Sequence, residues 1–314
     1  MYYIMLLGRG GQLVFLIKYP IVVDLHTHSN ASDGDFSPAQ LLREAQKSGI
    51  SVIALTDHDT LGGLDDARKE ANAVGVRFIP GIEISVNWTK CGGVSGLGPG
   101  GEMHLLGLGI KTPSPAFLAG ISELSRRREE RNFKILDNMN ALGIEASWED
   151  ILAENSSGVS SGPLSIGRPH FASFLVKKKI VRNSDQAFVR YLKPGRPLYV
   201  PKAGLSFEQS VAIIRESGGI PVLAHPMSLY VSWGSLPDLV KVLKDRGLTG
   251  IEAWHPIAKA RTCRRLEELG RSLGLYITEG SDFHGPARLG RNLGFSNKQR
   301  QISDAVLEAI PELN

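Results

Sequence analysis

Val22-Val23-Asp24-Leu25-His26-Thr27-His28-Ser29-Asn30-Ala31-Ser32-Asp33-Gly34 carries an apolar run straight into two histidines one residue apart, with an aspartate close behind. In an extended strand, residues i and i+2 project from the same face, so His26 and His28 aim two imidazoles at one point. Such a pair is the start of a metal site. By itself a His-x-His is equally an ordinary polar strand exit, and the remaining histidines decide between the two.

The chain has 8 histidines, and most recur in the same setting. Val52-Ile53-Ala54-Leu55 leads into Thr56-Asp57-His58-Asp59, Pro221-Val222-Leu223-Ala224 into His225-Pro226, and Leu275-Tyr276-Ile277-Thr278 towards Asp282-Phe283-His284. Short apolar strands that end in polar clusters describe a barrel of alternating strands and helices with its active site at the carboxyl ends of the strands.

The 314 residues leave room for one large barrel or a barrel with an insertion, and the composition is that of an ordinary globule. A net charge of +4 is a mild basic excess that suits an anionic substrate without requiring one. Cys91 and Cys263 form neither a disulfide framework nor a Cys-x-x-Cys, so a reducing cytoplasm is the expected compartment. Residues 1–20 hold apolar runs too short to span a bilayer and lack the charge order of a secretory signal; they read as an extension, either an extra strand or an upstream start.

Along the chain, Ser37-Pro38 caps a first helix that runs to Gly49, and Ser51 to Leu55 is the second strand. A helix over Leu64 to Val74 closes at Gly75, and a third strand over Val76 to Ile79 places Glu83 just past its end. Cys91 to Gly101 reads as a glycine-rich loop, followed by an apolar segment from Met103 to Ile110 that carries His104. Strand signals then stop. Phe117, Ile121, Leu124, Phe133, Leu136 and Met139 keep helical spacing, and Asn155 to Ser165 is a Gly/Ser-rich loop.

The expected organisation is therefore an extension at 1–20, a first barrel part at 21–110, a helical insertion or cap at 111–202 and a second barrel part at 203–314. Within the insertion, Arg126-Arg127-Arg128 and Arg131 read as a solvated, salt-bridged face. Gly167-Arg168-Pro169-His170 follows a loop and opens a helix, a setting where free N–H groups and a guanidinium suit a phosphate and which reads equally as a simple helix cap. Glu252 and His255, in Gly250-Ile251-Glu252-Ala253-Trp254-His255, fall near the site, His255 either at the substrate or as a hydrogen-bonding support. The tail from Ile302 to Ile310 reads as a short surface helix.

Imidazole nitrogens and carboxylate oxygens without thiolates suit Mn²⁺, Zn²⁺ or Fe²⁺ better than a structural zinc. His26, His28, Asp33, His58, Glu83, His104, His225, Asp282 and His284 are enough donors for two or three ions, with Mn²⁺ the first choice and Asp33, His58, Glu83 and His284 the candidate catalytic core. Adjacent divalent ions acidify a bound water and hold the entering and leaving oxygens of a phosphoryl group, so the donor set points to phosphoester hydrolysis.

Asp24-Leu25-His26-Thr27-His28-Ser29, Thr56-Asp57-His58-Asp59, Gly81-Ile82-Glu83, His104, His225-Pro226 and Ser281-Asp282-Phe283-His284 resemble, in order, the motifs of the polymerase and histidinol phosphatase (PHP) domain family. The resemblance implies a distorted (β/α)₇ TIM-like barrel with a helical insertion and a trinuclear centre. Carried over by position, His26, His28, Glu83 and Asp282 hold one ion, Glu83 with His104 and His225 a second, and Asp33 with His58 and His284 a third. Asp33 and the insertion resemble the branch of 3',5'-nucleoside bisphosphate phosphatases and ribonuclease AM. That likeness implies removal of the 3'-phosphate from 3',5'-bisphosphonucleotides by a metal-held hydroxide, with 5'-3' exoribonuclease action on short RNA as a companion activity. It also makes Arg168 and His170 candidate contacts to the substrate's 5'-phosphate. The competing expectations are a histidinol-phosphatase-type phosphomonoesterase and a non-catalytic metal-binding accessory module. No obligate protein partner and no membrane partner is expected.

Overall fold

A computed structural model of the chain describes residues 6–7, 13–14, 21–88, 98, 101–153, 165–297 and 300–313. Its strands are β1 Leu6–Leu7, β2 Leu13–Val14, β3 Val22–Asp24, β4 Ile50–Leu55, β5 Arg77–Asn87, β6 Met103–Leu108, β7 Leu205–Ser206, β8 Ile220–Leu223, β9 Gly250–Trp254, β10 Tyr276–Glu279, β11 Phe295–Asn297 and β12 Arg300–Gln301. The helices are α1 Pro38–Lys47, α2 Leu64–Val74, α3 Pro115–Ala141, α4 Trp148–Ala153, α5 Arg168–Lys177, α6 Ser184–Ala187, α7 Phe207–Glu216, α8 Leu236–Asp245, α9 Ala260–Ser272 and α10 Ala305–Glu308.

The sheet runs β10-β9-β8-β6-β5-β4-β3, with β7 added beside β5. Seven strands thus make the barrel path, and a Thr27–Phe283 bridge joins its two ends. That closure is tight: His28 N–H donates to Phe283 O at 2.8 Å and Asp282 N–H to His26 O at 2.8 Å. The strands pair in parallel except β6, which is antiparallel to both β5 and β8. This is the distorted (β/α)₇ barrel, and the distortion lies in that one strand, which follows β5 with no helix between them among the described residues.

The local sequence explains the regular parts. At α1, Ser37 accepts from Gln40 N–H, Gln40 answers from its side chain, Pro38 fills the first turn, and Leu41, Leu42 and Ala45 are buried on one stripe. α2 ends at Gly75 in the left-handed region, φ 72°, as a helix-terminating glycine does. The strands are buried on both faces. Val23, Leu25, Val52, Ala54, Leu106 and Val222 fill the barrel interior. On the outside, Ile53 and Leu55 pack under α1 and α2, and Leu223 and Ile251 under α7, α8 and α9.

Three readings of the sequence need correction. β5 does not stop at Ile79 but continues for 11 residues, because its second half finds β6 as an antiparallel partner; Glu83 is therefore inside a strand, opposite Leu106. The tail is not a surface element. Ile302, Val306, Leu307, Ile310 and Leu313 are buried against the interior residues of the strands and close the barrel at the end opposite the histidines. Arg126 and Arg127 are indeed surface residues paired with Glu123 and Glu130, but Arg128 and Arg131, one helical turn apart on α3, point inward.

The helices between Pro115 and Leu192 have an apolar cluster of their own, which includes Ile135, Met139, Ile151, Phe171, Phe174 and Leu192. Of residues 1–20, β1 and β2 pair antiparallel, and the rest of that stretch lies outside the described residues, as do nearly all of the two glycine-rich loops expected over 91–101 and 155–165. Among the described residues no helix is long and apolar enough to cross a membrane.

Candidate metal centre and anion cleft

The barrel delivers its polar residues to one mouth. His26 and His28 follow β3, His58 follows β4, His225 follows β8, and Asp282 and His284 follow β10, so six side chains come from carboxyl ends of parallel strands. β6 runs the other way, so its first residues reach the same mouth. His104 and Glu83 lie on one face of the β5–β6 pair as diagonal neighbours, which sets His104 Nδ1 2.8 Å from Glu83 Oε1.

All nine candidate donors meet there in three overlapping groups. His26 Nε2 and His28 Nε2 are 3.1 Å apart, and each lies 3.2–3.5 Å from Glu83 Oε2 and Asp282 Oδ1. Glu83 Oε1 also meets His225 Nε2 at 2.7 Å, beside His104. Asp33 Oδ1 lies 3.2 Å from His284 Nε2, and His28 and His58 complete that group. Glu83 thus serves two groups through separate oxygens.

Two observations test whether a cation fits. Donors about 2.1 Å from a central ion sit roughly 3.0–3.4 Å from one another in octahedral or tetrahedral sets, close to the spacing of the first group. Second, the buried atoms His28 Nδ1, His58 Nδ1 and His284 Nε2 have no hydrogen-bond partner. His58 Nδ1 lies 3.0 Å from Glu83 Oε2 without the geometry of a hydrogen bond. Buried polar atoms are normally satisfied, and donors that converge without bonding one another fit a divalent ion between them.

The electrostatics agree. Burial alone would raise the pKa of Glu83, yet the imidazoles of His58, His104 and His26 hold it well below the usual carboxylate range. Burial likewise opposes the charge on Asp282 and Asp33; Arg291, His26 and His284 keep the first ionised, and His284, His58 and Arg288 the second. Burial pushes the His58 pKa down to about 3, so that ring is neutral and able to ligate. Asp282 and His225 have φ of 50° and 26°, left-handed values that non-glycine residues hold only where the surroundings enforce them.

Above the nine donors lies a polar cleft of about 250 Å³. Arg128, Arg131, Arg168, Lys202, Arg288 and Arg291 line it. Carboxylates of the barrel anchor four of them, beginning with Arg128, which pairs with Asp59, and Arg168, which pairs with Glu102. Lys202 Nζ sits 3.2 Å from His104 Nε2; burial first, and then Arg128, bring its pKa down to about 8. Arg291 pairs with Asp282, and Arg288 with Asp33 at 3.2 Å.

The three candidate substrate residues fall in different places. Arg168 faces the cleft. His255 borders it, but Ile257 N–H donates to its Nδ1 at 3.2 Å, so its Nε2 carries the proton and donates to Asp282 Oδ2 at 3.0 Å. His170 is buried, is not among the cleft-lining residues, and accepts from Gly167 N–H through Nδ1 at 2.8 Å to close the first turn of α5. Sequence reading missed Arg128, Arg131, Lys202, Glu102, Arg288 and Arg291. A helical-wheel placement of Arg128 and Arg131 with Leu124 and Ile135 signals the first two, and nothing local signals the others.

The sequence profile of the PHP domain matches residues 24–180. The chain is 32% identical over 272 residues to a 3',5'-nucleoside bisphosphate phosphatase of Chromobacterium violaceum, covering 87% of this chain and 90% of that protein. It is 32% identical to a 5'-3' exoribonuclease of Haemophilus influenzae, covering 86% and 93%. A phosphoribosyl 1,2-cyclic phosphate 1,2-diphosphodiesterase of Eggerthella lenta is 31% identical, covering 88% and 98%. A crystal structure from Bifidobacterium adolescentis, described as a metal-dependent phosphoesterase, superposes with a TM-score of 0.78 at 25% identity, over 93% of this chain and 96% of that one. The chain belongs to the PHP domain family.

Proposed function

We propose that the chain is a metal-dependent phosphoesterase that hydrolyses the 3'-phosphate of 3',5'-bisphosphonucleotides and also trims short RNA from its 5' end. One observation carries the reading: nine imidazole and carboxylate donors converge at the barrel mouth, directly beneath a cleft walled by six cations. In it, His26, His28, Glu83 and Asp282 hold one ion, Glu83, His104 and His225 a second, and Asp33, His58 and His284 a third, with Mn²⁺ suited to the oxygen and imidazole donors. Divalent ions held there supply Lewis acidity and an acidified water at the phosphorus.

The chain's own residues do the rest. Residues 21–110 and 203–314 form the barrel and 111–202 a cap, whose Arg128, Arg131 and Arg168 face the ion sites across the cleft. Planar guanidinium groups match phosphate oxygens in a fork, and low dielectric strengthens each contact. Arg168 takes the substrate's 5'-phosphate, with His170 fixing the helix start that carries it. His255 holds Asp282 in orientation through the hydrogen bond from its Nε2. Phe188, Ile257 and Pro169 supply the apolar part of the lining, suited to a nucleobase.

Phosphate release from the Mn²⁺-loaded protein tests the reading, with 3',5'-bisphosphoadenosine, 3'-AMP, histidinol phosphate and a short 5'-phosphorylated RNA compared and EDTA as control. Release from the bisphosphate that EDTA abolishes is expected, together with slower RNA shortening from the 5' end. Turnover of histidinol phosphate alone overturns the substrate assignment, and inactivity on all four leaves the metal-binding accessory module as the better account.

A further inference from the structure

Glu252, in the middle of β9, is fully buried and is not one of the nine donors assigned above. Its two oxygens reach different partners. Oε1 accepts from His26 Nδ1 at 2.9 Å, and Oε2 accepts the backbone N–H of His225 at 2.7 Å. His26 belongs to the first donor group and His225 to the second. One carboxylate therefore touches both groups from behind.

The two contacts do different work. A proton on His26 Nδ1, committed to Glu252, leaves the Nε2 lone pair free and aimed at the point it shares with His28 Nε2, Glu83 and Asp282. At His225 the backbone is the problem. It has φ 26° and ψ 69° and precedes Pro226, so its conformation persists only because neighbouring groups hold it. The strong hydrogen bond to a buried carboxylate is such a hold, and it fixes the direction of the ring whose Nε2 meets Glu83 at 2.7 Å.

We propose that Glu252 is the shared positioning residue of the centre, setting the tautomer of His26 and the backbone of His225 so that the first two ion sites are built together. The inference rests on the metal-centre reading above. Outer carboxylates that orient metal-binding histidines are worth about 10- to 100-fold in metal affinity.

The test is E252Q. A carboxamide has one acceptor oxygen, and the His225 N–H, being backbone, must keep it. The amide nitrogen then faces His26 Nδ1 and drives the proton to Nε2, where it blocks ligation. Mn²⁺ titration calorimetry and metal content after desalting should show the His26 site weakened about 10- to 100-fold, while the group of Asp33, His58 and His284 keeps its affinity. Equal uptake at equal affinity by E252Q and the wild type overturns the proposal. Should E252Q fail to fold, ¹⁵N histidine NMR of the Zn²⁺-loaded wild type decides without a variant: a proton on His26 Nδ1 supports the role, and a proton on Nε2 removes it. A wild type that takes up no divalent ion defeats the metal-centre reading itself, an outcome distinct from full uptake by both proteins.

Discussion

Arg128 on α3 pairs with Asp59, just past β4, in an ion pair almost closed to solvent on both sides. Asp59 has φ 53° and also accepts the Ser85 backbone N–H and hydroxyl, each at 2.7 Å. Burial would raise the Asp59 pKa, but Arg128 and Lys202 hold it below the usual carboxylate range. The pair thus fastens the helical segment to the barrel mouth and sets one guanidinium above the donor cluster.

Breaking that pair from one side should be costly. In Arg128→Met the carboxylate stays buried with Ser85 as its hydrogen-bond partner and Lys202 as the remaining nearby cation, and a loss of about 3 kcal/mol in urea unfolding is expected. Adding Asp59→Asn should recover most of it, because the uncompensated charge is gone. A single variant that loses less than about 1 kcal/mol would mean that Ser85 and Lys202 satisfy Asp59 without Arg128.

Asp33→Ala and His58→Ala each remove a donor from the group that includes His284. The expected outcome is loss of turnover and of one bound ion per chain, with the circular dichroism of the barrel unchanged, since neither side chain contributes to the apolar clusters. Full activity in either variant would overturn the assignment of that ion site.

How much of this was written in the sequence depends on how local the cause is. His26 and His28 were legible because strand geometry fixes both from two residues of spacing, and Leu64–Val74 because a glycine ends it. Glu83 is legible as a donor, but its strand reads too short, since the reason β5 continues is β6, whose residue opposite Glu83 is Leu106, far along the chain. Ile302, Val306 and Leu307 look like one face of a surface helix; that they plug the barrel is decided by the open end they meet. Arg128 and Lys202 were opaque for the same reason. A buried cation is recognised by the carboxylate or the histidine opposite it, and Asp59 and His104 lie 69 and 98 residues away.

Arg168→Ala should act on binding rather than on chemistry. Arg168 is partly exposed, pairs with Glu102 and lies over Tyr199, with its guanidinium carbon 5.9 Å from the ring centre. Loss of a contact remote from the reacting phosphorus raises KM and leaves kcat nearly unchanged. An increase of about tenfold or more in KM for substrates with a 5'-phosphate is expected, corresponding to about 1.4 kcal/mol. The same loss on 3'-AMP, which lacks that group, would remove Arg168 from the 5'-phosphate site.

The pH dependence of ion binding follows from the two histidines that Glu252 joins. Burial lowers the pKa of His26, but Glu252, Asp282 and Glu83 outweigh it and hold the value well above that of free histidine. At His225, too, burial is overcome, here by Glu83 and then Asp282, and the pKa is raised. A raised pKa means that each ring keeps a second proton to higher pH than free histidine does, and a ring in that form must release one to ligate. Affinity for Mn²⁺ should therefore climb with pH, by about tenfold per pH unit for each proton displaced, and level off above the raised pKa values. His58, whose pKa is brought down to about 3, should contribute nothing to that slope at neutral pH. Calorimetric titration in buffers of different ionisation enthalpy counts the released protons directly. An enthalpy independent of buffer, with an affinity flat between about pH 6 and pH 8, would show that His26 and His225 are neutral before binding.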